Sequence, residues 1–358
     1  MFKKLTAAAF LVLLAAALSA AAAQAKAGAI VFSMSTVEHP CCEVEGKAPA
    51  PKVSGGLYAS RDGRFNQLTE DPTDSEPDFS ADGHTIAFVR DGDVYAMRAD
   101  GSGQRQLTSG PEIDARPLVA PNGKYVLFER RATAGAARDL YTVRVGGGAP
   151  HALTLSPGDD HEASFSPDGC TIAFVRSVAE TGGGTADDIY TVRPSGIRLR
   201  RLTLTDQVDE FAPRDLDETI VYSRGESSEG PGAYADIYAM NEDGRKARKL
   251  IAGAGSSFVE DATADGRTIL FRRDQGLWVK RLGGKGRKLA ELPDQSRTNA
   301  VFSSDGRKVA AFTATKDEET LSVIDVATGD RSVSRVAESN EYEETTIGPV
   351  IAWQPVRR

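Results

Sequence analysis

The sequence predicts an all-β protein: a seven-bladed β-propeller of four-stranded antiparallel blades, its first blade closed by the C-terminal strand. Three observations carry this expectation. A long block recurs almost unchanged, weaker copies of it run through the whole chain, and the last strand supplies the one piece that the first copy lacks.

The block reads Glu76-Pro-Asp-Phe-Ser-Ala-Asp-Gly-His-Thr-Ile-Ala-Phe-Val-Arg90, then Asp93-Val-Tyr-Ala-Met-Arg98, then Arg105-Gln-Leu-Thr108. It returns as Glu162-Ala-Ser-Phe-Ser-Pro-Asp-Gly-Cys-Thr-Ile-Ala-Phe-Val-Arg176, Asp188-Ile-Tyr-Thr-Val-Arg193 and Arg200-Arg-Leu-Thr203. A second-strand motif recurs at 29–34, 85–90, 125–130, 171–176, 219–224, 268–273 and 308–313. A third strand follows around Tyr58, Tyr95, Tyr141, Tyr190, Tyr238, Trp278 and Ser322, and a fourth ends near Leu68, Leu107, Leu153, Leu202, Leu250, Leu289 and Val333. Copies repeat every 40–56 residues or so (about the period of a four-stranded blade), in short runs rich in Val, Ile, Tyr and Phe. Apolar runs such as 86–89 replace strict alternation because neighbouring blades cover both faces of each sheet.

The turns have their own chemistry. In Ser166-Pro-Asp-Gly169, Pro sets φ, Asp can bond its own backbone and Gly accepts positive φ. The turn recurs at 81–83, 121–123, 264–266 and 304–306, and degenerates at Leu216-Asp-Glu218, which predicts an altered hairpin there. The first copy has no innermost strand; Val350-Ile-Ala-Trp-Gln-Pro355 aligns with 162–167 and is expected to fill that place. Ring closure removes open sheet edges, so a monomer is expected.

Ahead of the repeats, Lys3 and Lys4, an apolar run over 7–23 and Ala23-Gln24-Ala25 read as a cleavable secretory signal peptide over 1–25. The mature part, 26–358, is expected to be one propeller domain, periplasmic or secreted, with no membrane span. Losing the two lysines makes the formal net charge of −8 still more negative, which argues against nucleic acid as a partner. The three cysteines do not form a disulfide scaffold. A vicinal Cys41–Cys42 bridge and a buried, unbridged Cys170 are expected.

The Ser-Pro-Asp-Gly turn, the Asp-Ile-Tyr third strand and the closing Leu-Thr together resemble the propeller repeats of the TolB family, over nearly all of 28–358. Members of that family look like a small N-terminal α/β domain followed by a six-bladed ring. They act in an envelope-spanning complex with a peptidoglycan-associated lipoprotein. Here the repeats begin directly after the leader and number seven, so the resemblance implies an envelope-binding propeller rather than that particular partner. Similar repeats precede the catalytic domain of prolyl-oligopeptidase-like enzymes, but the chain carries no Gly-x-Ser-x-Gly elbow.

In a propeller the fourth-to-first connections and second-to-third loops share one face around the channel mouth. Here those connections are acidic. Glu76, Arg116, Glu162 and Glu210 fall at one register by residue count, alongside Val259, Asn299 and Val350, with Asp114, Asp160, His161 and Arg297 nearby. Such a mouth can hold a cation or a basic side chain, or its charges can pair among themselves, Arg116 with Glu76 or Glu162. The second-to-third loops, longest at 35–55, are the expected place for recognition. Neither a catalytic residue, a cofactor nor a metal is expected: only four histidines exist, and His84 and His151 fall away from the mouth. The chain therefore reads as an exported scaffolding module for a protein or cell-envelope component. The alternative is a glycan lyase or hydrolase with its site in the channel, for which carboxylates such as Asp160 and Glu162 could serve as acid and base.

Overall fold

The computed structural model describes residues 28–353 apart from 39–51, 62, 180–184, 206–207, 217, 227–233, 252–254, 294–296, 316–317 and 338–342. The leader, Cys41 and Cys42 therefore lie outside the described residues.

Seven four-stranded antiparallel sheets form the ring. Blade 2 shows the pattern: an innermost strand Ser75–Phe79, then Thr85–Arg90, Asp93–Arg98 and the outermost Arg105–Gln106. Blade 1 is assembled from both ends of the chain, with Glu343–Trp353 pairing antiparallel to Ile30–Glu38 from Trp353 opposite Ile30 to Glu343 opposite Glu38. The closing strand thus begins well before Val350. The second-to-third loop of blade 1 is also shorter than expected, because Ile30–Glu38 and Lys52–Arg61 stay paired as far as Glu38 opposite Lys52.

Packing follows from the repeat. Among the described residues an apolar cluster lies between each pair of adjacent blades. Ile86, Phe88 and Met97 meet Val31 and Leu57 of blade 1. Phe312 and Leu321 meet Ile30, Phe32 and Ile351 across the closing junction. Burying each such side chain contributes about 1.5–3 kcal/mol, so the ring has no single centre whose loss would unfold it. Within a blade, the second-strand aromatic packs against the third-strand one: Phe88 against Tyr95 at 5.6 Å, Phe128 against Tyr141 at 5.9 Å, Phe174 against Tyr190 at 5.8 Å.

The motif residues are structural fasteners. Ser166 Oγ donates to Asp168 Oδ1 at 2.6 Å and accepts the Thr171 N–H at 2.9 Å, while Asp168 Oδ1 also accepts the Cys170 N–H. Ser80, Thr263 and Ser303 repeat this clamp. In blade 5 the clamp is gone, and Leu216 N–H reaches Thr219 directly. The threonine of each Leu-Thr accepts a third-strand N–H, as Thr108 does from Val94 at 2.8 Å and Thr154 from Leu140 at 2.9 Å. Cys170 is exposed on its turn, not buried, because the clamp turns its side chain outward ahead of the strand.

Candidate functional site

At and just before the innermost strands lie two rings of residues, and the structure separates them. Asp74, Asp114, Asp160 and Glu210 form the first. All four are buried, and each faces the arginine that closes the second-strand motif of its own blade. Arg90 holds Asp74 through two bonds of 2.6 and 2.7 Å, Arg130 holds Asp114 at 2.6 and 2.8 Å, and Arg176 holds Asp160 at 2.5 and 2.7 Å. Each guanidinium lies over the blade's aromatic pair, Arg176 being 4.8 Å from the Tyr190 ring centre. In blade 5 the longer Glu210 makes only a 3.5 Å contact with Arg224 and takes a 2.7 Å bond from Thr205 Oγ1. Among the described residues its Oε2 has no hydrogen-bond partner. Burial pushes the Glu210 carboxyl up to about 7.

Glu76, Arg116, Glu162 and Ala212 form the second ring. Each sits at a bulge with left-handed φ: 52°, 50°, 53° and 50°. Counting residues had put Glu210 in this ring; the turn from Leu216 to Thr219 is two residues shorter than its counterparts, which puts Ala212 there and moves Glu210 to the buried ring. At the last three the left-handed turn swings the N–H toward the preceding blade. Arg116 N–H donates to Glu76 Oε2 at 2.5 Å, Glu162 N–H to Glu129 Oε1 at 2.9 Å, and Ala212 N–H to Glu162 Oε2 at 2.7 Å. Arg116 meets Glu76 through its backbone, and its exposed side chain adds positive potential at Glu129.

Between blades 3 and 5 these rings merge into one network. Arg138 binds Asp159 through its N–H at 2.6 Å and its guanidinium, and reaches Glu129 at 3.3 Å. Burial works to raise the Asp159 carboxyl, but the Arg138 bonds outweigh it and hold it down at about 2. Burial pushes the Glu129 carboxyl up against the pull of Arg116 and Arg138. His161 Nε2 lies 3.3 Å from Ser177 Oγ, which donates to Asp187 at 2.5 Å. Burial also raises Asp187. The serine stands between the histidine and the acid, so this is not a nucleophile–base–acid chain.

The structure therefore brings Glu76, Asp114, Arg116, Asp160, His161, Glu162 and Glu210 to one end of the ring, with most of their charge already engaged inside it. Arg297 opens the innermost strand of blade 7; its side chain is outside the described residues. Among the described residues no three His, Cys, Asp or Glu side chains are grouped to hold a metal. The sequence reading missed Glu129, Arg138 and Asp187. Glu129 alone had left a trace, an acid inside an apolar strand where blades 2 and 4 carry Val89 and Val175. It also missed Leu155 and Leu204, which follow the threonine of the Leu-Thr motif in blades 3 and 4 and are 76% and 73% exposed on this same face.

No protein-family model matches the sequence, and no curated protein is similar to it. Solved structures are. TolB from Acinetobacter baumannii shares 15% identity and a TM-score of 0.54, covering 87% of this chain and 81% of that one. The fold is a TolB-like propeller. An oligogalacturonate lyase from Vibrio parahaemolyticus has 11% identity and a TM-score of 0.60, over 83% of this chain and 92% of that one. A Mycobacterium tuberculosis puromycin-hydrolyzing peptidase has 16% identity and a TM-score of 0.61, over 85% of this chain but only 54% of the peptidase. At these identities the TolB-like ring is shared in shape, and propellers of one shape serve unrelated functions.

Proposed function

We propose that this TolB-like propeller is an exported binding module, using the loop face over blades 3–5 to hold a protein at the cell envelope. The observation that carries the reading is the pair Leu155 and Leu204: large apolar side chains at the same repeat position of adjacent blades, both almost fully exposed. Between them lie Asp159 and Glu162, half-buried and held rigidly by backbone and arginine bonds. Apolar anchors beside fixed carboxylates suit a segment carrying apolar and basic side chains. The Lys3-Lys4 leader and the Ala23-Gln24-Ala25 site support export.

The test is capture from an envelope fraction by immobilised protein of residues 26–358, followed by the Leu155→Ser and Leu204→Ser double variant. Loss of a captured protein by a well-folded variant supports the reading; equal capture by both removes this face from it. The lyase alternative predicts cleavage of oligogalacturonate by the same preparation, and turnover there would displace the binding reading.

A further inference from the structure

In each blade the first-to-second and third-to-fourth turns fall at the end of the ring opposite the acidic loop face, because consecutive antiparallel strands alternate direction. At that opposite end, blades 4, 5 and 6 are strongly basic. Their third-to-fourth segments, 193–201, 242–249 and 281–288, hold twelve Lys and Arg against two acids in a chain whose formal net charge is −8. The three segments adjoin: Arg200 bonds the Asp243 carbonyl, Gly244 packs against Leu202, and the blade 6 segment follows in the next blade of the ring. Four of the cations have acidic neighbours: Arg201 with Asp188, Arg245 with Asp243, Lys249 with Asp236 and Lys288 with Glu291. Among the described residues, no ion pair engages Arg193, Arg198, Lys246, Arg248 or Lys285, all exposed.

Two backbone facts show that charge at this rim is held against local preference. Arg198 and Lys246 occupy the same hairpin position and have φ of 59° and 57°; in blade 2 that position is Gly103, with φ of 67°. A glycine costs nothing there, whereas a side chain with a Cβ is strained. On either side of Arg198, Ile197 and Leu199 are 57% and 45% exposed. Alternating basic and exposed apolar side chains on a turn is the pattern of a segment that rests in the headgroup layer of a bilayer. A soluble polyanion would use the cations and leave the two apolar side chains in water.

We propose that the basic rim of blades 4–6 docks the propeller on anionic phospholipid headgroups, with Ile197 and Leu199 entering the interface and the acidic loop face turned away from the membrane. This does not depend on the binding role of the loop face.

The experiment uses residues 26–358, since the described strands that close the ring run from 30 to 353. The protein is sedimented with phosphatidylcholine vesicles with and without phosphatidylglycerol, in low and high salt. Binding only to the anionic vesicles, lost in high salt, is expected. The Arg198→Gly and Lys246→Gly double variant relieves the backbone while removing two charges, so it should fold at least as well yet bind on the order of tenfold more weakly. The Ile197→Ser and Leu199→Ser variant should also bind less. If the glycine variant misfolds, Arg193→Ser with Lys285→Ser reads the same effect at positions without strain. Equal binding to neutral vesicles, undiminished binding by well-folded variants, or tight binding to soluble polygalacturonate or DNA with none to vesicles would each overturn the proposal.

Discussion

Ala212 donates its N–H to Glu162 Oε2 at 2.7 Å across the junction of blades 4 and 5, and the bond explains why an alanine sits at a φ of 50°. A left-handed alanine costs about 1–2 kcal/mol, and a bond to a carboxylate offsets it with about 1.5–3 kcal/mol. Glu162→Ala should therefore lower unfolding stability by about 1–3 kcal/mol, and Glu162→Gln, which keeps an acceptor, by less. Ala212→Gly should leave stability unchanged or raise it by up to about 1 kcal/mol, since glycine needs no compensation at this φ. Urea midpoints of the three variants check the ordering. An Ala212→Gly variant weaker than Glu162→Ala would mean that the bond is not what sets the bulge.

The buried ring and the surface pairs should behave in opposite ways. Asp160 is fully buried and bound through both oxygens by Arg176, whereas Arg245 and Asp243 touch at 3.6 Å in the open. Removing one partner of a buried pair leaves a desolvated charge and costs about 3–5 kcal/mol, while an exposed pair contributes about 0–1 kcal/mol. Arg176→Met should destabilise strongly, the Asp160→Leu and Arg176→Met pair together much less, and Asp243→Asn hardly at all. A double-mutant cycle by chemical denaturation measures the coupling.

The ring is legible in the sequence because each fastener recurs as a fixed residue type. Ser166, Asp168 and Gly169 spell the turn in some blades and Thr108 and Thr154 the strand cap in others, while the second-strand motif, present in every copy, lets seven be counted. The charged end is legible only in composition. Blades 4 and 5 carry the same bulge, but the turn after Leu216 closes two residues sooner than the turn after Ser166, so counting back from the second strand puts Glu210 beside Glu162 when its place is beside Asp160. Pairing across blades is harder still. That Glu129 serves the N–H of Glu162, 33 residues on, depends on the angle between two blades, and no local pattern encodes it. The exposure of Cys170 depends on which way the turn clamp rotates the next side chain.

Glu210 predicts a pH dependence of definite sign. Its carboxyl rises from an ordinary 4.5 to about 7 in the folded ring because it is buried beside an arginine too distant to compensate. A raised folded value means that the folded state holds the proton more tightly. The stabilisation is fully present below about 4.5 and is lost as pH rises through 7. Asp78, raised to about 7 by burial, adds to the same window. Asp159, held at about 2, acts oppositely and only in acid: its contribution is present above its ordinary 3.8 and lost as pH falls through 2. Unfolding stability should therefore decline between pH 5 and 8, on the scale of these raised values. Glu210→Gln should flatten that decline and be the more stable protein at the alkaline end. Urea midpoints across the range decide it, and a variant with an unchanged slope would place the titration elsewhere.

The closing strand makes the sharpest demand on the architecture. Glu343–Trp353 pairs along one edge of Ile30–Glu38, and Ile351 sits in the apolar cluster joining blades 7 and 1. Deleting residues 343–358 would leave that edge with a row of unpaired N–H and C=O groups, and would open the cluster around Phe32 and Phe312 to water. An open edge of this length pairs with whatever strand is available, which in a purified protein is another copy. The truncated chain should form dimers or larger species by light scattering while the full ring stays monomeric. A synthetic peptide of residues 343–353 should restore the monomer, because it supplies the same ladder without the covalent link. A truncated chain that remained monomeric and as stable as the full ring would show that blade 1 closes without its latch.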